Sequence, residues 1–251
     1  MTPRGVLVDA AGCLIHPREP VGATYARAAR RQGVDLPAWR VDDAFRRVVA
    51  RAEPMVFPDV PPAARPERER AWWRGVVRST FLAVDSTVRF PDAEALFAGL
   101  FEHFAGGGAW SLAPGARQAL ATLRADGLAL GVASNFDHRL PDILEELEMA
   151  ILFDSITIPS TCGFAKPDPA FFRAATSALG TAPGETLHLG NDPERDVAAA
   201  RAAGLAALQW PGGSPEDPKD WRALPARIRA AATLERRPAP PAPHSGDEPT
   251  S

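Results

Sequence analysis

Gly5-Val6-Leu7-Val8-Asp9-Ala10-Ala11-Gly12-Cys13-Leu14 is the stretch on which the reading of this chain turns. Its first four residues are apolar, rich in Val and Leu, and closed by small residues. That pattern is too short for a helix and marks a buried strand. The strand ends on a carboxylate, Asp9. Two further runs repeat the design: Leu128-Ala129-Leu130-Gly131-Val132-Ala133 ends at Ser134-Asn135, and Thr186-Leu187-His188-Leu189 ends at Gly190-Asn191-Asp192. Leu205-Ala206-Ala207-Leu208 is a fourth strand, and Ser155-Ile156-Thr157-Ile158 a weaker fifth.

Helical patterns fill the intervals over 114–125, 137–147, 168–180 and 192–204, several with proline in the first turn and glycine just past the end. Strand–helix alternation of this kind predicts an α/β fold, a Rossmann-like parallel sheet with helices on both faces. The segment 17–108 differs. It holds helical patterns over 21–32, 41–51, 68–84 and 92–104 and no convincing strand, with a proline-rich connection over 54–66 and a flexible return at Gly106-Gly107-Gly108. The expected organisation is therefore an α/β core from 1–16 and 109–235, an inserted all-helical cap over 17–108, and a proline-rich disordered tail over 236–251. The charge-dense Arg65-Pro66-Glu67-Arg68-Glu69-Arg70 reads as a solvated helix start.

Composition narrows the partners. Hydrophobic residues are 45% of 251, enough for a sizeable core. Lys and Arg number 28 against 31 Asp and Glu, so nucleic acid is not a favoured partner. No run approaches a membrane span, and no charged segment followed by an apolar stretch marks a signal peptide at the start. Two distant cysteines, Cys13 and Cys162, make no disulfide framework, and a cytoplasmic setting is expected. Oligomeric state is not legible.

In an open parallel sheet, ligands bind beyond the carboxyl ends of the strands. Asp9, Ser134-Asn135, Lys166 and Asp192 all fall at that edge, and Asp196 follows Asp192 by one helical turn. A carboxylate nucleophile forms a covalent intermediate, an ammonium offsets anionic charge, and further carboxylates hold Mg2+. Each has a plainer reading. Asp9 alone is a turn residue, Ser134 and Asn135 cap a helix, and Lys166 is a surface lysine. Asp168 before Pro169 is an N-cap, and Asp192 before Pro193 divides between cap and ligand. His188 belongs to the core. His138 and Arg139 are expected in solvent, and Trp72 and Trp73 in cap packing rather than beside substrate.

Taken together, Val8-Asp9-Ala10-Ala11-Gly12-Cys13-Leu14, Ala133-Ser134-Asn135, Lys166-Pro167-Asp168-Pro169 and Gly190-Asn191-Asp192-Pro193-Glu194-Arg195-Asp196 resemble, in order and spacing, the four motifs of the haloacid dehalogenase-like hydrolase superfamily. Val21-Gly22-Ala23-Thr24-Tyr25-Ala26, Trp72-Trp73 and Ser134-Asn135-Phe136-Asp137-His138-Arg139-Leu140 resemble one branch of its subfamily IA. The resemblance implies a Mg2+-dependent phosphatase acting on a small phosphorylated molecule. Asp9 is then the nucleophile. Ser134, Asn135 and Lys166 contact the anion, and Asp9, the Ala11 backbone carbonyl, Asp192 and Asp196 hold the metal.

Three positions depart from the pattern. Ala11 stands where phosphatases of the superfamily carry an acid/base Asp, with His16 as a candidate substitute. Asn191 stands where many relatives have Asp, and Cys13 where threonine is usual. Two alternatives stay open: a metal-independent 2-haloacid dehalogenase with a carboxylate-binding arginine among Arg18, Arg27, Arg30 and Arg31, and a pseudoenzyme that binds a ligand or partner.

Overall fold

Val6 and Val8 pack into one apolar cluster and Leu7 into another, so the first strand separates two layers by the two-residue alternation of an extended chain. The computed structural model describes residues 3–210 and 220–234; the expectation for 236–251 lies outside them. The elements in chain order are β1 (Gly5–Val8), β2 (Ile15–Pro17), α1 (Val21–Arg31), α2 (Ala38–Arg51), α3 (Arg65–Val84), α4 (Ala93–His103), β3 (Trp110–Leu112), α5 (Ala116–Ala125), β4 (Ala129–Ala133), α6 (Leu140–Glu146), β5 (Ser155–Thr157), α7 (Pro159–Cys162), α8 (Pro169–Leu179), β6 (Thr186–Gly190), a π-type turn (Pro193–Ala198), α9 (Ala199–Ala202), β7 (Ala206–Gln209) and α10 (Leu224–Leu234).

Five strands form one parallel sheet in the order β5-β4-β1-β6-β7. β1 is central, with β4 on one side and β6 on the other. The chain leaves in opposite directions from that point, and a crevice opens at the carboxyl ends of the three strands. All five strands expected from the sequence are present. α10 was not anticipated; Trp221, Leu224 and Ile228 close the layer that holds α5 and α6. No helix among the described residues is long and apolar enough to cross a membrane.

β2 and β3 were also not anticipated. Three residues each, they pair antiparallel with Pro17 opposite Trp110, so the entry and exit of the helical insert lie side by side. Neither run is long enough to register as a strand in the sequence, and only their pairing defines them. The insert buries an apolar cluster of its own, including Tyr25, Val41, Phe81, Leu96, Phe97 and Leu100. Its return through Gly106-Gly107-Gly108 is a 3-10 turn whose Gly107 amide donates to Glu146 Oε2 at 2.7 Å.

The expected start of α3 as a solvated stretch is corrected: Glu69 is fully buried, and Arg65 donates to the Ser160 carbonyl. The helix expected over 192–204 is also modified. Its first turn is wide, with the Val197 amide reaching the Asp192 carbonyl, and regular α-helix begins at Ala199.

Candidate active site

Asp9 follows β1, and its carboxylate is nearly enclosed. Lys166, in the loop after β5 and α7, reaches it with Nζ 2.7 Å from Asp9 Oδ1 and 2.6 Å from Asp196 Oδ1. Among the described residues nothing donates to the other Asp9 oxygen. Burial works against the Lys166 ammonium, but Asp9 and Asp196 outweigh it and hold its pKa above the ordinary lysine value. The lysine is therefore a fixed cation. Burial likewise opposes the Asp196 carboxylate, yet the His188 hydrogen bond and the Lys166 charge drive its pKa far below the usual range.

Asp196 is the centre of this arrangement. Its Oδ1 accepts from Lys166 and from His188 Nε2 at 3.1 Å, and its Oδ2 accepts from the Asp192 amide at 2.9 Å. Burial holds His188 below the ordinary histidine range, so the ring is neutral, and it sits in the core as expected. The wide turn after Asp192 places Asp196 against β6. A Cβ on Gly190 would fall 2.2 Å from Asp196 Cγ, so glycine is required there by close approach.

Asn135 clamps the lysine loop reciprocally: its amide donates to the Lys166 carbonyl and accepts from the Lys166 amide, both at 2.8 Å. Ser134 is buried beside it. The Asp192 carboxylate accepts from the amides of Glu194 and Arg195 and from Arg195 Nε, the last at 2.9 Å, so it caps the turn and pairs with a cation. Together the Arg195 bonds outweigh partial burial and keep its pKa low. Asp168 is the N-cap of α8, as expected, through the Ala170 amide.

One cavity of about 350 Å³ is lined by Asp9, Ala11, Ser134, Asn135, Lys166, Asn191, Asp192 and Asp196 together. The structure thus brings every expected site residue to one cleft. Arg195 also lines it and was missed by the sequence reading, although its place three residues after Asp192 carried the signal. His16 does not line the cleft; its half-buried ring lies on β2, with Nε2 unpartnered. Arg18, Arg27, Arg30 and Arg31 are absent from the lining as well. Cys13 is buried, and burial followed by the charge of Asp9 pushes its thiol well up, away from thiolate chemistry.

The expectation that Arg139 lies in solvent is corrected. It is 7% exposed and bidentate to Asp137, at 2.9 Å through Nε and 2.6 Å through Nη2, and it also donates to the Phe101 carbonyl. Trp73 of α3 donates to the same Asp137 carboxylate at 2.6 Å, and it lines the cleft instead of serving insert packing alone. His138 is half-buried, with its amide 3.0 Å from Glu69 Oε2 and its ring on the same oxygen. The Glu69 bond holds the His138 pKa above the ordinary value. Partners 64 and 69 residues apart join the insert to the loop after β4.

Glu69, Asp137 and His138 present ligand-type atoms within 4.8 Å of one another. Both Asp137 oxygens are already committed to Arg139 and Trp73, and a guanidinium stands beside them, so this cluster suits an interlock better than a cation.

The parallel sheet and the buried Asp–Lys–Asp cluster at its carboxyl edge define an open α/β protein with a charged cleft at the strand ends. The chain belongs to the haloacid dehalogenase-like hydrolase family, whose model matches residues 3–204. It is 35% identical over 212 residues to haloacid dehalogenase-like hydrolase domain-containing protein 3 of Mus musculus, covering 83% of this chain and 82% of that one. It is 38% identical over 115 residues to phosphoserine phosphatase of Thermus thermophilus, covering 44% of this chain and 45% of that one. The HAD-hydrolase YfnB of Bacillus subtilis, solved bound to magnesium, shares the fold with a TM-score of 0.68 at 16% identity, covering 91% of this chain and 100% of that one.

Proposed function

We propose that this chain is a Mg2+-dependent phosphatase of small phosphorylated molecules, with Asp9 as nucleophile and the helices over 17–108 as its cap. The observation that carries the reading is the Asp9–Lys166 contact at 2.7 Å, which occupies one carboxylate oxygen of a residue that lines the cleft and leaves the other without a donor among the described residues. That free oxygen attacks phosphorus. The bond to the leaving oxygen breaks, and water then attacks the aspartyl phosphate and releases phosphate. Lys166 balances the charge of Asp9 and of the incoming phosphate. Ser134 completes the anion pocket, and Asn135 positions Lys166 through its backbone.

The donor set fits Mg2+. Oxygen ligands are available from Asp9, the Ala11 carbonyl and the Asn191 amide, and Asp192 joins them where it can share its carboxylate with Arg195. A small cation that keeps several waters needs few protein oxygens. Bound there, it supplies charge stabilisation for the phosphoryl oxygens. Asp196 has both oxygens engaged and acts as the positioning residue for Lys166 rather than as a direct ligand.

A second reading is 2-haloacid dehalogenation without metal, and Ala11 favours it, because that chemistry needs no second carboxylate. The test is phosphate release from p-nitrophenyl phosphate with and without Mg2+, beside chloride release from 2-chloropropionate, each with Asp9→Asn as control. Mg2+-dependent phosphate release lost in the variant is the expected result. Chloride release without phosphate release overturns it in favour of the second reading.

A further inference from the structure

We infer that the cleft takes phosphate monoesters of phenolic, aromatic alcohols, a substrate class that rests on the phosphatase reading and narrows it. Two independent observations converge on this.

The first is the wall of the cleft. Beyond the polar floor, its lining is aromatic and aliphatic, with Tyr25, Phe45, Val77, Phe97, Phe104 and Trp110 contributed by the four insert helices and β3. A cavity of about 350 Å³ is large enough for a ring system and lies within the usual range of small-ligand sites. Arg139 is the cation of the lining outside the polar floor, and its guanidinium already donates twice to Asp137 and once to the Phe101 carbonyl. Arg195, at the polar end, is paired with Asp192. Between them the apolar wall residues carry few polar atoms, so a leaving group with a second phosphate, a carboxylate or several hydroxyls would give up more hydrogen bonds to water than this wall returns. An aromatic ring loses nothing by the same transfer and gains area burial and ring contacts.

The second observation is Ala11. It lines the cleft where a proton donor is needed, and His16 is elsewhere. When Asp9 displaces the leaving oxygen, the electron pair of the broken P–O bond departs on that oxygen and its proton must come from water. A phenol ionises near ~10, as tyrosine does, whereas an alkanol behaves more like water at about 15.7. An aryl oxide leaves without help where an alkoxide does not. Water then cleaves the aspartyl phosphate, returning the carboxylate and releasing phosphate.

The experiment compares kcat/KM with Mg2+ for 1-naphthyl phosphate, phenyl phosphate, benzyl phosphate, glycerol 3-phosphate and acetyl phosphate. Acetyl phosphate has a good leaving group and no apolar body, so it reports the Asp9 chemistry alone. The expected order places 1-naphthyl phosphate about 100-fold or more above glycerol 3-phosphate, with benzyl phosphate between them because it fills the wall but leaves as an alkoxide. Val49→Asp, which puts a charge on the α2 side of the cavity, should lower the ratio of 1-naphthyl to acetyl phosphate turnover about 10-fold. Turnover of acetyl phosphate with glycerol 3-phosphate equal to or better than the aryl esters overturns the inference and leaves the phosphatase reading standing. Silence on acetyl phosphate and on every ester overturns both.

Discussion

Two buried ionic clusters stand out among the described residues, and they are built to opposite ends. Asp9, Lys166 and Asp196 surround one cation with two carboxylates and leave an Asp9 oxygen without a donor among the described residues. Asp137, Arg139 and Trp73, with Glu69 and His138 beside them, engage both Asp137 oxygens and close on themselves. The first contains a group with nothing yet to do. The second spends its charges on joining the helical insert to the sheet domain. A buried ion pair by itself therefore does not mark chemistry; an oxygen left over beside a cavity does. Glu69 Oε1, which is buried without a partner, is the one departure from full satisfaction in the second cluster.

The sharpest way to break this contrast is at Lys166. Lys166→Met should reduce turnover by about 10²–10³-fold in steady-state assays, because a preorganised cation beside the reacting oxygen is lost. Turnover within a few-fold of the parent would place the chemistry elsewhere. Gly190→Ala reaches the same cluster without replacing an ionisable group. Its new methyl collides with Asp196, and a loss of rate approaching that of Lys166→Met is expected, with circular dichroism confirming the fold.

The interlock should show itself in stability instead. Arg139→Met leaves Asp137 buried without its cation and is expected to cost about 3–5 kcal/mol in urea unfolding. Trp73→Phe keeps an aromatic ring but loses the pyrrole half of the indole and with it the donor to a carboxylate, with an expected cost of at least roughly 1.5–3 kcal/mol. A smaller cost for Arg139→Met than for Trp73→Phe would mean that the guanidinium is dispensable there.

The smallest effect concerns pH. His138 is held above the ordinary histidine value of 6.5 by its bond to Glu69. A raised folded-state pKa contributes stability that is fully present below 6.5 and disappears as pH rises through the raised value. With a partly exposed, screened ring the gain should be at most about 1 kcal/mol. The melting temperatures of the parent and His138→Gln should differ in mild acid and converge in alkaline solution. A difference that grows with pH would reverse the sign and refute the pairing.

The elements near the Asp9–Lys166 cluster were legible because their signals are local. A short Val-rich run ending at Asp9 is a strand wherever it occurs, and Asp before Pro caps a helix. The interlock was illegible for the converse reason. Arg139 looks like a helix-start cation destined for water, and Glu69 sits in a stretch of mixed charge that pattern reading assigns to solvent. Their burial depends on partners supplied by other elements, and no local window contains both. β2 and β3 were missed on the same ground, since three residues acquire strand character only from the segment opposite.

The sequence by itself determined the parallel α/β sheet, the all-helical character of the insert, and which residue types stand at the carboxyl ends of the strands, because periodicity, capping and strand length act over a few residues. Tertiary structure alone decided how those groups divide their bonds. It gave the Asp196 oxygens to Lys166, His188 and the Asp192 amide, left an Asp9 oxygen free, tied Arg139 and Trp73 to Asp137, and gathered aromatic side chains from four helices into one wall. A hydrogen bond needs both partners within about 3 Å, and which distant residues meet at that range is a property of the packed molecule.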